Sequence, residues 1–372
     1  PEIASLSAYV PGMSIAEVRE RYGLSRVIKM ASNENPLGVS PLVRKVLATS
    51  LEEAFRYPQG GNPALREALA RAHHVSPERI VVGNGSDEII DMLIRMLAVP
   101  GRHSVVCFEP CFSLYPIQAR ICGVETRRCP LSPDYSFDLD ALFSLVDTGT
   151  RLVFVTTPDN PSGYCPPLAA MRRLAEQLER HFPRCLLVVD EAYMDFAGDS
   201  PEDEARFSLL ASGDIPDNVA IMRTFSKSYG LAGLRLGYGI LPAELAQYYW
   251  RARLPFSVNV LAEEAGIAVL QDSTFRAATL ECVRAGRRRL TEGLRALGCT
   301  VWPSAANFIM MQLPEGCGTA AACFEALLQR GIIIRPLKSY SLPDHLRVSV
   351  GSDEENTAFL EAMKQWMQEV RG

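Results

Sequence analysis

Short apolar runs alternate with longer amphipathic segments through much of this chain, and that alternation limits the possible folds more than any other feature. Arg79-Ile80-Val81-Val82-Gly83 reads as a strand. A helix from Asp87 to Leu97 follows, with apolar residues at Ile89, Ile90, Leu93, Ile94 and Leu97. Further buried strands are expected at Ser104 to Phe108, Arg151 to Thr156, Cys185 to Val189 and Val219 to Arg223, with a helix from Leu168 to His181. Strands alternating with helices require crossover connections, which gives an α/β fold with a mostly parallel sheet. Ligands of such sheets gather at the C-terminal ends of the strands. The chemistry is therefore sought just after each apolar run.

The pattern changes after Pro255. Leu261 to Leu297 reads as helical, with Arg287-Arg288-Arg289 as a solvated run of charge. Shorter strands are expected at Asn307 to Met311, Ile332 to Arg335 and Leu346 to Val350, before a terminal helix from Glu354. The chain has 372 residues, which at about 150 residues per domain suggests two domains. The division predicted is an N-terminal arm over 1–30, with a short helix Ile15 to Tyr22, a large domain over 31–255 and a smaller α+β domain over 256–372.

Several classes fall away on composition. The formal net charge is −5, against the basic balance usual in a nucleic-acid-binding protein. The longest charge-poor stretch, Cys299 to Pro314, is interrupted by two prolines and is too short to span a bilayer. No basic segment followed by an apolar run stands at the N-terminus, and a cytoplasmic location is expected. The ten cysteines contain no C-x-x-C and the five histidines lack metal-ligand spacing, so reduced thiols and no metal are expected.

Four segments follow successive strands. Gly83-Asn84-Gly85-Ser86-Asp87 precedes a helix, whose free N–H groups suit an anion, although a plain helix-capping turn would look the same. Thr157-Pro158-Asp159-Asn160-Pro161-Ser162-Gly163 is a polar loop that could be turn chemistry alone. Asp190-Glu191-Ala192-Tyr193 puts a carboxylate at a buried strand end, where desolvation demands a partner. Thr224-Phe225-Ser226-Lys227-Ser228-Tyr229-Gly230-Leu231-Ala232-Gly233-Leu234-Arg235 supplies a lysine, and an arginine eight residues later.

As a set, these segments resemble the aspartate-aminotransferase fold of pyridoxal-phosphate enzymes, fold type I, and within it the histidinol-phosphate aminotransferase family. The resemblance covers nearly the whole chain. It includes Ser7-Ala8-Tyr9-Val10-Pro11-Gly12, Ala31-Ser32-Asn33-Glu34-Asn35-Pro36-Leu37-Gly38, Arg56-Tyr57-Pro58 and Leu346-Arg347-Val348-Ser349-Val350-Gly351. It implies pyridoxal 5′-phosphate as cofactor, with Lys227 forming the Schiff base and shuttling the substrate proton. Asp190 would pair with the pyridinium nitrogen. Asn160 and Tyr193 would bond the ring hydroxyl, and Phe112 would stack on the ring. Gly85, Ser86, Asp87, Thr224, Ser226 and Arg235 would gather the cofactor phosphate, with Asp87 capping its helix and binding through its amide. Tyr57 would reach the phosphate of the neighbouring subunit in a homodimer with shared sites.

Arg335 and Arg347 match family positions that hold the substrate phosphate, with Tyr9 and Asn33 nearby; guanidinium forks suit that geometry. The implied reaction is amino transfer between L-histidinol phosphate and 2-oxoglutarate, giving L-glutamate, by a ping-pong route in histidine biosynthesis. The alternatives on this scaffold are an aromatic-amino-acid transaminase and a threonine-phosphate decarboxylase-like lyase. A cofactor-sensing module of a transcription regulator would need a DNA-binding domain that the chain has no room for. The sequence departs from the common family wording at Ser162, where Thr is usual, at Phe112, where Tyr is frequent, and at Cys111, where Thr is common.

Overall fold

A computed structural model describes residues 12–198 and 201–371. The five apolar runs form strands Ile80–Asn84, Ser104–Glu109, Thr150–Thr156, Leu186–Asp190 and Val219–Thr224, all in one seven-stranded sheet. The spatial order is Ile80–Asn84, Leu236–Ile240, Val219–Thr224, Leu186–Asp190, Thr150–Thr156, Ser104–Glu109, Glu125–Pro130. Every pairing from Val219–Thr224 to Glu125–Pro130 is parallel. Leu236–Ile240 runs antiparallel to both its neighbours.

The strands are apolar on both faces because helices cover both. Along Thr150–Thr156, Val153 and Val155 join a layer with Leu65, Leu69, Leu174 and Leu178, whereas Leu152 and Phe154 join Ile90, Leu93, Ile94 and Tyr115. This is the two-residue period of a strand. Helix Leu168–His181 buries Met171, Leu174, Ala175 and Leu178, the spacing of a single helical face.

Sequence periodicity misses Leu236–Ile240 because two glycines break its apolar run. Gly237 has a steric reason: a Cβ there would lie 2.2 Å from the backbone nitrogen of Ser86. The strand crosses the start of helix Ser86–Leu97 so closely that only glycine fits.

A second, antiparallel sheet has the order Arg335–Pro336, His345–Ser349, Phe308–Gln312, Thr300–Val301. Its core gathers Phe308, Val348, Leu290, Leu294 and Leu327 with Phe359, Met363 and Trp366 of the terminal helix Asp353–Arg371. The helical stretch expected over Leu261 to Leu297 is two helices, Val260–Leu270 and Ser273–Ala296. Asp272 starts the second, its Oδ1 accepting the Phe275 N–H at 3.0 Å while its Oδ2 accepts from Ser40. The strand expected over Ile332 to Arg335 also divides. Ile332–Ile333 pairs in parallel with Ile28–Lys29, and Arg335–Pro336 joins the antiparallel sheet. Arg287 is not part of a solvated run, since it donates to the carbonyls of Phe196 and Ala306 at 3.0 and 3.1 Å. Helix Ile15–Tyr22 lies where expected, closed by a capping box between Ser14 and Glu17. Among the described residues no helix is long and apolar enough to cross a membrane.

Beneath the strand ends lies a buried ion network centred on Arg223, which is 2% exposed. Its Nε and Nη2 donate to Glu191 Oε2 at 2.9 and 2.6 Å, and Nη2 also reaches Glu204 Oε1 at 2.8 Å. Asp195 accepts from Arg223 at 3.4 Å and from Arg276 at 3.0 Å, and its other oxygen accepts from Ser228. Removing one partner of such a network strands the others without compensation. Arg223→Met should therefore lower stability by about 3–5 kcal/mol, read as a drop in the urea midpoint. Glu191→Gln in the same chain should return part of that loss, and an unchanged midpoint in Arg223→Met would show the network to be energetically idle.

Candidate active site

The C-terminal ends of the parallel strands open onto a cavity of about 210 Å³. Its lining unites Ser86, Asp87, Phe112, Asn160, Asp190, Tyr193, Thr224, Ser226, Lys227 and Arg235. These come from the ends of five separate strands and the segments that follow them, and the sheet order makes them neighbours.

One end of the cavity is built for an anion. Helix Ser86–Leu97 begins at Gly85, whose φ is 76° and whose N–H donates to Arg235 O at 2.8 Å. A side chain at Gly85 would meet the Arg235 guanidinium, at 2.7 Å from Nη2. The helix has no side-chain cap, so its first-turn N–H groups supply partial positive charge. Asp87 does not cap this helix as expected. It lies inside the first turn, and its Oδ2 accepts from Arg235 Nη2 at 3.0 Å. The reason is positional: Gly85 occupies the cap, and the Asn84 N–H is taken by Glu88 at 2.6 Å. Opposite, Thr224 Oγ1 accepts the Ser226 N–H at 3.1 Å, fixing the turn before Lys227.

Asp190 ends its strand only 4% exposed. One oxygen accepts the Ala192 N–H at 3.1 Å and the other accepts the Tyr115 hydroxyl at 2.7 Å. Burial pushes its carboxyl up to about 6. Lys227 Nζ donates to Ser32 O at 3.2 Å and lies 5.5 Å from the centre of the Tyr193 ring. Burial, with the charge of Arg347 second, brings its amine down to about 8. The Tyr193 hydroxyl accepts from Asn33 Nδ2 at 3.1 Å. Phe112 meets Tyr115 edge-on, with ring centres 5.6 Å apart.

The Asn160 loop is held by Asp159, whose Oδ2 accepts from the Ser162 hydroxyl at 2.6 Å and the Ser162 N–H at 3.1 Å. Serine thus supplies the hydroxyl that threonine gives elsewhere. Burial pushes the Asp159 carboxyl up to about 7. Cys111, the third departure, sits with its sulfur 3.8 Å from that of Cys107.

Arg347 stands behind Asn160. It donates to Asn160 Oδ1 and, through Nη2 at 3.0 Å, to Ala31 O, and it lies over the Phe308 ring at 5.0 Å. Its Nε is buried and has no hydrogen-bond partner among the described residues. Arg335 is its direct opposite in the adjoining antiparallel strand, so both side chains leave the same face of the sheet. Asn33 lies beside them, its N–H and Oδ1 both bonded to Ser349 Oγ at 2.8 Å. One candidate stands apart. Tyr57 is 80% exposed and stacks on Phe256 with ring centres 4.8 Å apart, outside the cavity. Tyr9 lies outside the described residues.

Sequence reading missed Ser32, Glu34 and Thr156, which line the cavity, and Tyr115, which backs Asp190. Tyr115 carried a faint signal, a hydroxyl one helical turn beyond Phe112. Among the described residues, no group of three or more His, Cys, Asp or Glu could hold a metal ion.

The model of the family Aminotransferase class I and II matches residues 25–363. Histidinol-phosphate aminotransferase of Nitratidesulfovibrio vulgaris (strain Hildenborough) is 58% identical, over 98% of this chain and 95% of that protein. The protein of the same name from Oleidesulfovibrio alaskensis is also 58% identical, over 98% and 94%. Among solved structures, histidinol-phosphate aminotransferase from Sinorhizobium meliloti in complex with pyridoxal-5′-phosphate superimposes with a TM-score of 0.85 at 25% identity, covering 100% of this chain and 97% of that one. The matched length, the identity and the shared fold together place this chain in the class I and II aminotransferases, as a member of the histidinol-phosphate aminotransferase family.

Proposed function

We propose that this chain moves an amino group between L-histidinol phosphate and 2-oxoglutarate, with pyridoxal 5′-phosphate as cofactor, at the cavity around Lys227. The site residues fit the cofactor. Gly85, the first turn from Ser86, Ser226, Thr224 and Arg235 form a cradle for a dianion, in which Asp87 already orients Arg235. Asp190 offers a buried carboxylate to a ring nitrogen, Asn160 and Tyr193 offer polar groups to a ring hydroxyl, and Phe112 offers an apolar face. When bound, the cofactor supplies an aldehyde carbon and an electron-withdrawing ring. The chain itself supplies the base: Lys227 Nζ, poised near neutrality, moves the proton at the amine-bearing carbon of the substrate.

One observation carries the substrate assignment. Arg347, bonded to the cavity-lining Asn160, keeps a buried Nε with no hydrogen-bond partner among the described residues, and Arg335 stands directly across from it in the sheet. The two arginines leave the same face of the sheet, and a phosphate dianion can accept two guanidinium forks. An aromatic amino acid offers a carboxylate, which one fork satisfies. A phosphothreonine lyase would use the same arginines, but the relatives are named for amino transfer.

We further propose a homodimer in which Tyr57 serves the partner's site. Leu51, Phe55, Tyr57, Leu254 and Phe256 are 63, 76, 80, 70 and 42% exposed, and the Tyr57–Phe256 stack joins the two segments that bear them. Apolar and aromatic surface of this kind suits a second copy of the chain. A reducing compartment such as the cytoplasm fits ten free cysteines.

Three outcomes are expected. Borohydride reduction of the cofactor-loaded protein should label Lys227. The rate of cofactor capture by the apoprotein, followed by absorbance, should rise with pH and level off above about 8, because only the neutral amine attacks. Arg347→Met, which removes a nearby positive charge, should move that midpoint upward. Labelling at another lysine, or a midpoint near that of an ordinary lysine, would refute the assignment.

Arg335→Ala should lower kcat/KM for histidinol phosphate by about 10- to 100-fold, the worth of one charged hydrogen-bonding partner. The loss for 2-oxoglutarate should be smaller, since Arg347 still meets its α-carboxylate. Equal losses for the two substrates would sink the phosphate assignment.

Mixing inactive Lys227→Ala chains with inactive Tyr57→Ala chains should restore roughly a quarter of wild-type activity. Random pairing makes half the dimers hybrids, each with one whole site of two. A fully active monomer in sedimentation would exclude shared sites.

A further inference from the structure

Bonded to Asp190 is a tyrosine that the reaction chemistry does not itself require. Tyr115 lies in helix Leu114–Ile121, is 1% exposed, and stacks on Phe154 with ring centres 4.6 Å apart and planes 10° from parallel. Its hydroxyl touches two groups, Asp190 Oδ2 at 2.7 Å and Thr156 Oγ1 at 2.7 Å. The direction of these bonds follows from proton counting. An ionised carboxylate only accepts, so Tyr115 donates to Asp190, and Thr156 must then donate to Tyr115. Burial and the Asp190 charge hold the Tyr115 phenol well above its ordinary value, so it stays a donor throughout the working range.

We propose that Tyr115 is a positioning residue for the amino-transfer reaction: its hydroxyl, oriented by Thr156, keeps Asp190 in the ionised form and so keeps the proton of the Asp190–ring-nitrogen pair on the nitrogen. This rests on the assignment of Asp190 to the cofactor ring nitrogen made above. The physical argument is differential. In a dry pocket, a carboxylic acid facing a pyridine nitrogen can share its proton in either of two ways, and burial alone favours the neutral pair. A hydroxyl donor bonds the carboxylate more strongly than the neutral acid, which tips the balance toward the charged pair. A protonated ring nitrogen is what makes the cofactor an electron sink. The placement is economical as well. Phe112, which offers a face to the ring, lies just before this helix and packs edge-on against Tyr115 at 5.6 Å. A single segment of chain thereby sets both the stacking face and the charge at the nitrogen.

The test uses the holoenzyme reconstituted with pyridoxal 5′-phosphate labelled with ¹⁵N at the ring nitrogen. Wild type, Tyr115→Phe and Asp190→Ala are compared by NMR and by steady-state kinetics. Tyr115→Phe should keep the fold and bound cofactor, move the ¹⁵N resonance toward that of an unprotonated pyridine, and lower kcat by about 10- to 100-fold, the worth of a hydrogen bond to a charged group. Thr156→Val removes the hydroxyl that orients Tyr115. It should shift the resonance in the same direction by less, and it serves as the test if Tyr115→Phe does not fold. A resonance unmoved in both variants, with the nitrogen still losing its proton in Asp190→Ala, would overturn the proposal. If the nitrogen stays protonated in Asp190→Ala, the assignment of Asp190 itself falls, and the role of Tyr115 falls with it.

Discussion

Arg223 is the point on which the geometry of the site depends. Its guanidinium holds Glu191, the residue after Asp190, and through Asp195 it restrains Ser228, the residue after Lys227. The carboxylate and the amine of the cavity are thus tied from below by one buried cation, on the strand that ends three residues before Lys227. Charges placed there are costly to desolvate, and they persist because each has several partners. Glu191 also accepts from Ser208 at 2.7 Å and from the Leu209 N–H at 3.0 Å. A network this densely bonded around Arg223 fixes angles as well as distances, which a catalytic pair needs more than it needs stability.

Much of this was legible in the sequence because strands buried on both faces are written as continuous apolar runs. Ile80–Asn84, Thr150–Thr156 and Leu186–Asp190 lie within a residue or so of the runs that predict them. The rule that ligands collect at strand ends then points to most of the cavity lining. The elements missed have physical reasons. Leu236–Ile240 is broken by glycines required for close approach, and Glu125–Pro130 is a charged edge strand whose residues are mostly exposed or half-buried. The join near Asp272 escaped because both flanking segments are helical, and only a capping contact to distant Ser40 separates them. Tyr115, Ser32 and Glu34 escaped because their importance comes from what packs beside them, which periodicity does not encode.

The charges around the cavity are arranged unequally. At the cradle, Arg235 is oriented by Asp87, and at the mouth Glu34 is bonded to Lys29 at 2.9 Å. At the third corner two arginines face each other across adjacent strands, and among the described residues Arg347 donates to an amide oxygen and a carbonyl. No carboxylate is among those partners of Arg347, which leaves its full charge for an incoming anion. The same charge lowers the affinity of Lys227 for its proton, so the anion-binding corner and the base are electrostatically linked.

The antiparallel strand Leu236–Ile240 has a consequence for how the chain acquires its site during synthesis. The two halves of the cradle, around Gly85 and around Arg235, are made some 150 residues apart, and they meet only when this strand slides between Ile80–Asn84 and Val219–Thr224. A nascent chain that has emerged only as far as Arg235 carries every cradle residue and still has no cradle. Closure of the sheet is a long-range event, and the anion pocket comes into being with it, so a bound dianion rewards a step of folding that no local segment can complete.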